Sequence, residues 1–290
     1  SQDYDGAIVK YEEFLKTYPF SKYKPAALYR IASARFQKKE YGQARLSYGT
    51  MISQFPSDYF YAPLAQYLIG ESYLVLNQMR EALFAYSKII TQYKGYPIYP
   101  QAMYRLAWAQ HEVEDLSQAV QTCDNFLTLY PSHKLTVNIY LIKANSLVHL
   151  KKYTEAMAAY QKIVDMAPLT EIAEEAQFLM LKTQYEQKDY SSILTSYHYL
   201  FRQLPPSTSK WRSLSQLIAG ESYLATNQIE QAQGIYESLL KMYPSEMAAV
   251  YAQDGLAWCY ELSGKHKEAL ETREKLKEMI KTDPSLSAFS

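Results

Sequence analysis

The sequence predicts an all-α protein, a right-handed superhelical solenoid of about seven and a half helix-turn-helix repeats. Three observations predict it. First, Ala7, Ala44, Ala82, Ala119, Ala156, Ile193, Ala232 and Ala269 follow one another at intervals of 37, 38, 37, 37, 37, 39 and 37 residues. Second, other residues keep phase with that slot. Twelve residues before the seven later slots stand Ala32, Gly70, Ala107, Ala144, Leu181, Gly220 and Ala257. Four residues after the slots come Tyr11, Tyr48, Tyr86, Cys123, Tyr160, Tyr197, Tyr236 and Arg273, and twelve after six of them come Pro19, Pro56, Pro131, Pro168, Pro205 and Pro244. Third, the signals of strands are missing: there are no alternating β-branched runs and no Asn-Gly hairpins, and only 9 glycines interrupt a chain rich in helix formers.

Each slot has a physical reason. Two antiparallel helices approach closely only where side chains are small, so Ala or Gly recurs on both helices of a hairpin. Leucine at Gly70 or Gly220 is expected to overpack that approach, and alanine at Gly70 to be mild. The tyrosine fills the groove between neighbouring hairpins, its hydroxyl near the surface. Proline cannot continue a helix interior and marks the passage to the next repeat. Turns such as "QKKEYGQ", "LNQMRE" and "SGKHKE" join the two helices of a repeat. "GESYL" occurs at 70–74 and again at 220–224, in the second and sixth full repeats.

The chain then divides into a half repeat at 1–19 and full repeats at 21–56, 57–94, 96–131, 132–168, 169–205, 206–244 and 245–284, one array at 1–284 followed by a tail at 285–290. Two places break the pattern. In "QYKGYPIYP", Lys94 stands where proline is due. In the fifth repeat Leu181 and Ile193 replace the small residues, and a change of superhelical curvature is expected over 181–211. The last helix carries Arg273 in the tyrosine slot and a charged outer face, as a capping helix should. The opening "SQDYDGAIVKYEEF" lies already inside a helical pattern, which leads us to expect a segment upstream.

The small–Tyr–Ala–Tyr–Pro series, as in Gly220, Tyr223, Ala232, Tyr236 and Pro244, resembles the tetratricopeptide repeat (TPR) family over nearly the whole chain. That family's period is about 34 residues, and the three extra residues here lengthen helix by ~4.5 Å. The longer period and the "YP-S" junctions of "FLKTYPFSKYKPAALYRIASARF" are similar to a bacterial envelope subgroup. It includes the BamD-type lipoproteins of outer-membrane β-barrel assembly and the periplasmic TPR protein of the Tol-Pal system. The resemblance implies a periplasmic or outer-membrane-associated interaction scaffold; a cytoplasmic location is the alternative.

Composition narrows the chemistry. Thirty basic and thirty acidic residues balance to zero net charge, which excludes a global footprint for nucleic acid or an anionic membrane. No apolar run approaches the ~18 residues of a membrane span. Cys123 and Cys259 lack any CxxC spacing and read as buried structural thiols. His111 and His149 could approach across the third and fourth repeats with Glu112 nearby, but two histidines on separate helices do not make a metal site. No GxSxG, HExxH or P-loop motif occurs. The chain is therefore expected to be non-catalytic, without cofactor or metal, and to bind protein partners.

The candidate binding residues flank the small residue of each first helix, where the resemblance places a concave groove. They are Tyr29, Arg30, Tyr67, Glu71, Tyr104, Arg105, Trp108, Asn145 and Trp258, with Tyr104, Arg105, Trp108 and Asn145 the densest cluster. Arg30, Arg105 and Asn145 do not reproduce the clamp by which some TPRs hold a C-terminal carboxylate, because Leu68 and Ile142 interrupt the series. Joint loss of Arg105 and Trp108 is expected to leave the fold intact and weaken partner capture. The leading reading is a scaffold that binds a peptide or folded partner in a bacterial cell-envelope assembly. The alternatives are the regulatory portion of a larger protein with its active domain upstream, or a glycan-binding module.

Overall fold

The computed structural model describes residues 3–203 and 209–282. Pro205 of the proline series and the tail expected at 285–290 lie outside the described residues. Fifteen α-helices, and no strand, occur among the described residues, gathered into two compact units at 1–152 and 153–290. The first unit holds α1 (Tyr4–Thr17), α2 (Lys24–Gln37), α3 (Tyr41–Gln54), α4 (Tyr61–Val75), α5 (Met79–Gln92), α6 (Tyr99–Glu112), α7 (Leu116–Leu129) and α8 (Thr136–His149). The second holds α9 (Tyr153–Met166), α10 (Glu171–Glu186), α11 (Tyr190–Gln203), α12 (Lys210–Ala225), α13 (Ile229–Met242), α14 (Met247–Leu262) and α15 (His266–Thr282). Within each unit every helix packs on its neighbours in the chain, so each is a stack of helical hairpins.

The turn inside each repeat has one backbone solution. Lys39, Asn77, Glu114, Lys151, Lys188, Asn227 and Gly264 all adopt positive φ, between 57° and 72°. At each, two amides fold back on the helix just ended: Lys39 N–H donates to Phe36 (2.9 Å) and Glu40 N–H to Arg35 (3.0 Å), and Gly264 and Lys265 do the same with Glu261 and Tyr260. These paired bonds satisfy the last carbonyls of the first helix and reverse the chain in a left-handed residue. Only Gly264 adopts that conformation without a steric penalty.

The second helices end differently. Tyr18, Phe55, Tyr130 and Tyr243 each precede proline, which disfavours the α conformation, and their ψ angles swing to between 52° and 63°. Tyr93 precedes Lys94, yet it leaves the helix the same way, with φ −126° and ψ 40°. Its ring is buried. Burial of the aromatic ring therefore accompanies this exit even where proline is missing.

The tyrosine slot is the core. Tyr48, Tyr86, Tyr160 and Tyr236 are almost wholly buried. The small slot on the preceding helix is where that ring lies. A Cβ built on Gly70 would meet Tyr86 Cε1 at 2.5 Å, and one on Gly220 would meet Tyr236 Cε1 at 2.5 Å. Two expectations change. Gly70 is small to admit a phenol ring more than to admit a helix backbone, and alanine there requires that ring to shift. The hydroxyl also does not seek the surface: Tyr48 donates to Ser33 (3.1 Å) and Tyr86 to Glu71 (2.5 Å), each the residue just after the small slot.

A second brace was not read from the sequence. Gln66 Nε2 donates to the Ala85 carbonyl (3.0 Å) and Gln253 Nε2 to that of Thr272 (3.0 Å), both buried and both joining the two helices of one hairpin. Gln216 reaches Ile235 in the same way at 3.4 Å. All three glutamines stand four residues before the small slot, so the signal was available.

The fifth repeat departs from the others in packing. Leu181 and Ile193 meet Ile218 of α12 in a small apolar cluster with Phe178, Tyr185 and Tyr190 around it. Bulk at both close-approach positions loosens the α10–α11 hairpin, and α10 instead packs heavily on α12. A buried ion pair bridges those two helices: Arg212 Nη2 lies 2.9 Å from Glu174 Oε1, with side chains only 7% and 11% exposed. At the other end of this unit, Arg273 reaches back to Glu261 at 2.6 Å.

Candidate functional site

The residues beside the small slot of each first helix make the candidate site. In the first unit they lie on α2, α4, α6 and α8. Tyr29 on α2 is half-buried, its ring 5.2 Å from Tyr61 and 5.7 Å from Tyr48. Burial pushes its hydroxyl pKa up. Its neighbour Arg30 is exposed and lines an apolar cleft of about 510 Å³ with Tyr11, Phe14, Tyr23 and Ala27. Arg30 thus belongs to the α1–α2 edge.

On α4 and α6 the structure brings four candidates into one network. Arg105 Nη2 donates to Glu71 Oε2 at 2.8 Å, and its Nε donates to the Tyr67 hydroxyl at 3.4 Å. Glu71 also accepts the Tyr86 hydroxyl. The guanidinium carbon sits 6.0 Å from the ring centre of Trp108. Burial would lower the Arg105 pKa, but the Tyr67 hydrogen bond and the Glu71 charge more than offset it and hold it above its ordinary value. Burial first, and then the bond to Glu71, keep the Tyr86 hydroxyl protonated far into alkali.

Of the densest cluster expected from the sequence, Tyr104 and Trp108 share one core and Arg105 lies beside Trp108. Tyr104 and Trp108 rest half-buried on the core formed by Tyr99, Met103, Ala107, Cys123, Phe126, Ile139 and Ile142. Arg105 turns toward the preceding repeat. It joins α6 to α4 across 34 residues of sequence as a structural tie. Asn145 on α8 is half-buried.

In the second unit Trp258 on α14 is 49% exposed. Beside it on α14 stand Asp254, exposed, and Gly255. Glu221 on α12 is half-buried and accepts a hydrogen bond from the Tyr185 hydroxyl; burial raises its carboxyl pKa. A Cβ on Gly255 would meet Tyr236 Cζ at 2.5 Å, so this position too is held small by a buried ring.

His111 and His149 do approach, with rings 5.4 Å apart, and His111 Nδ1 lies 3.0 Å from Ser146 Oγ. Burial, and then the neighbouring His149, lower the His111 pKa. Among the described residues no group of three His, Cys, Asp or Glu is placed to hold a metal ion. Cys123 and Cys259 are free and buried. Burial pushes their thiol pKa values up to about 12 and about 11, which leaves both poorly nucleophilic. Among the described residues no helix is long and apolar enough to cross a membrane.

Family models described as tetratricopeptide repeat match residues 26–58, 137–168 and 219–284. A model described as outer membrane lipoprotein matches residues 62–152. No curated protein matches the chain. Among solved structures, the C-terminal part of a TPR repeat-containing protein from Cytophaga hutchinsonii is similar, with a TM-score of 0.63 and 13% identity over 88% of this chain and 95% of that one. A signal transduction ATPase with a tetratricopeptide repeat sensor from Pyrococcus horikoshii is also similar. Its TM-score is 0.59 at 16% identity, over 87% of this chain and 41% of that one. The fold is that of tetratricopeptide-repeat proteins.

Proposed function

We propose that the chain is a non-catalytic protein–protein interaction scaffold that holds a peptide or folded partner on the first-helix faces of its repeats. The observation that carries this reading is the division of labour within each hairpin. Tyrosine rings, small slots and glutamine braces consume one side of the first helix in packing. Of the residues next to them, Tyr104 and Trp108 in one unit are only partly covered by the core, and Trp258 in the other is exposed. Aromatic and arginine side chains are the types that anchor partners.

The match of residues 62–152 to an outer membrane lipoprotein model supports an envelope location, periplasmic or on the outer membrane. An envelope assembly is the setting we propose for the partner.

The test is photo-crosslinking in the native cell from a benzophenone side chain placed at Tyr104 or at Asp254, with Leu270, exposed on the second helix of the last repeat, as the control position. A discrete crosslinked protein from the first two positions and not from the control supports the scaffold. Equal crosslinking from all three rejects it. Fractionation of the same cells reads the compartment: recovery in the cytosol alone rejects the envelope assignment.

A further inference from the structure

The two "GESYL" segments sit in the same place in their repeats and are related by a shift of 150 residues, as are their neighbours: Glu71 and Glu221, Tyr86 and Tyr236, Trp108 and Trp258. In the first unit the Glu71 carboxylate, the Tyr67 hydroxyl and the Trp108 indole surround a guanidinium. Arg105 lies 2.8 Å from Glu71 and 6.0 Å from the Trp108 ring centre. The second unit keeps the carboxylate and the indole, but it carries Leu217 at the position of Tyr67 and Gly255 at that of Arg105.

The second carboxylate is therefore half-buried without its cation. The Tyr185 hydroxyl donates to Glu221, and among the described residues no basic side chain pairs with it. Asp254, where the first unit has Tyr104, brings a second negative charge toward the Tyr236 hydroxyl. Trp258 stands 49% exposed. Nor can the missing cation be restored from within the chain at this slot, since any side chain on Gly255 would strike the buried Tyr236 ring.

We propose that the face formed by Glu221, Asp254 and Trp258 takes an arginine side chain from a partner polypeptide, in the role that Arg105 plays within the first unit. A guanidinium fits better than an ammonium, because its planar fork matches a carboxylate and its face stacks on an indole. This inference rests on the scaffold reading and names the chemistry of one anchor.

A randomised twelve-residue peptide library is panned against the full chain, and the bound peptides are resynthesised with citrulline, the uncharged isostere, at each arginine. The expected result is selection for arginine, a loss of affinity of about tenfold or more on exchange for citrulline, and disappearance of that difference in Glu221→Gln of unchanged helicity. Trp258→Ala is expected to weaken arginine and citrulline peptides unequally, the arginine peptides more. Peptides bound without arginine preference, or a preference that survives in Glu221→Gln, overturn the inference and leave the scaffold standing. Retention of no peptide overturns it as well, and the crosslinking experiment then decides the scaffold separately.

Discussion

The ring of Tyr86 lies so close over Gly70 that the β-carbon of any other residue would come within 2.5 Å of Cε1. The ring cannot simply swing aside, because its hydroxyl is bonded to Glu71 on the same helix as Gly70.

Gly70→Ala should therefore lower stability by about 1–3 kcal/mol through overpacking. In a Tyr86→Cys background, which copies the natural Ala107 and Cys123 pairing, the alanine should cost nothing further. Chemical denaturation of the four proteins of that cycle measures the coupling. Additive losses would show that the ring is not what makes the slot small.

Arg105→Ala should cost about 1–3 kcal/mol, because it strands the Glu71 carboxylate in a partly buried site. Glu71→Gln should recover part of that loss in the double variant. The expectation that joint loss of Arg105 and Trp108 leaves the fold intact carries the cost of this ion pair with it. Binding studies on Arg105 variants need a melting curve beside them.

Removing one member of the Glu174–Arg212 pair should be severe, about 3–5 kcal/mol, since the remaining charge stays buried between α10 and α12. Replacing both with leucine and methionine should be close to neutral by the same principle. Denaturant midpoints of Glu174→Leu, Arg212→Met and the double variant check the order.

Lys39 holds φ at 64°, a conformation that costs a non-glycine residue about 1–2 kcal/mol. Glycine relieves that cost but loses chain entropy, so Lys39→Gly should stabilise by a net amount of about 0.5–1 kcal/mol. Gly264→Ala should move the midpoint the opposite way. Thermal melts of the two variants read both signs.

His111 has a folded-state pKa below its ordinary value, because of burial and then of the His149 charge, with Glu112 acting weakly in the other direction. The unfolded chain therefore binds the proton more readily. The stability that neutral His111 contributes is whole above the ordinary histidine range near 6.5 and is lost as pH falls through that value toward the folded one. His111→Gln should flatten the fall in melting temperature between pH 7.5 and pH 5. An unchanged slope would assign the acid sensitivity to other groups.

The sequence alone determined the helical repeat and the ends of several second helices. Tyr18–Pro19 and Tyr243–Pro244 end helices by constraints within two residues, and a small slot every 37 to 39 residues can be counted along one chain. The same periodicity located the aromatic and arginine residues beside the slots, and it located the irregular fifth repeat. Tertiary structure decided what those residues do. In the sequence Arg105 is a residue beside a small slot, and only the structure sets it against Glu71, 34 positions earlier, and buries Arg212 against Glu174, 38 positions earlier. Glu221 and Glu71 share a motif, and what separates them is whether the next first helix carries an arginine or a glycine opposite. Helix periodicity is a local property, set by backbone geometry over a few turns. The partner of a charge depends on which rotamer survives packing against another repeat, and on how much water that packing removes.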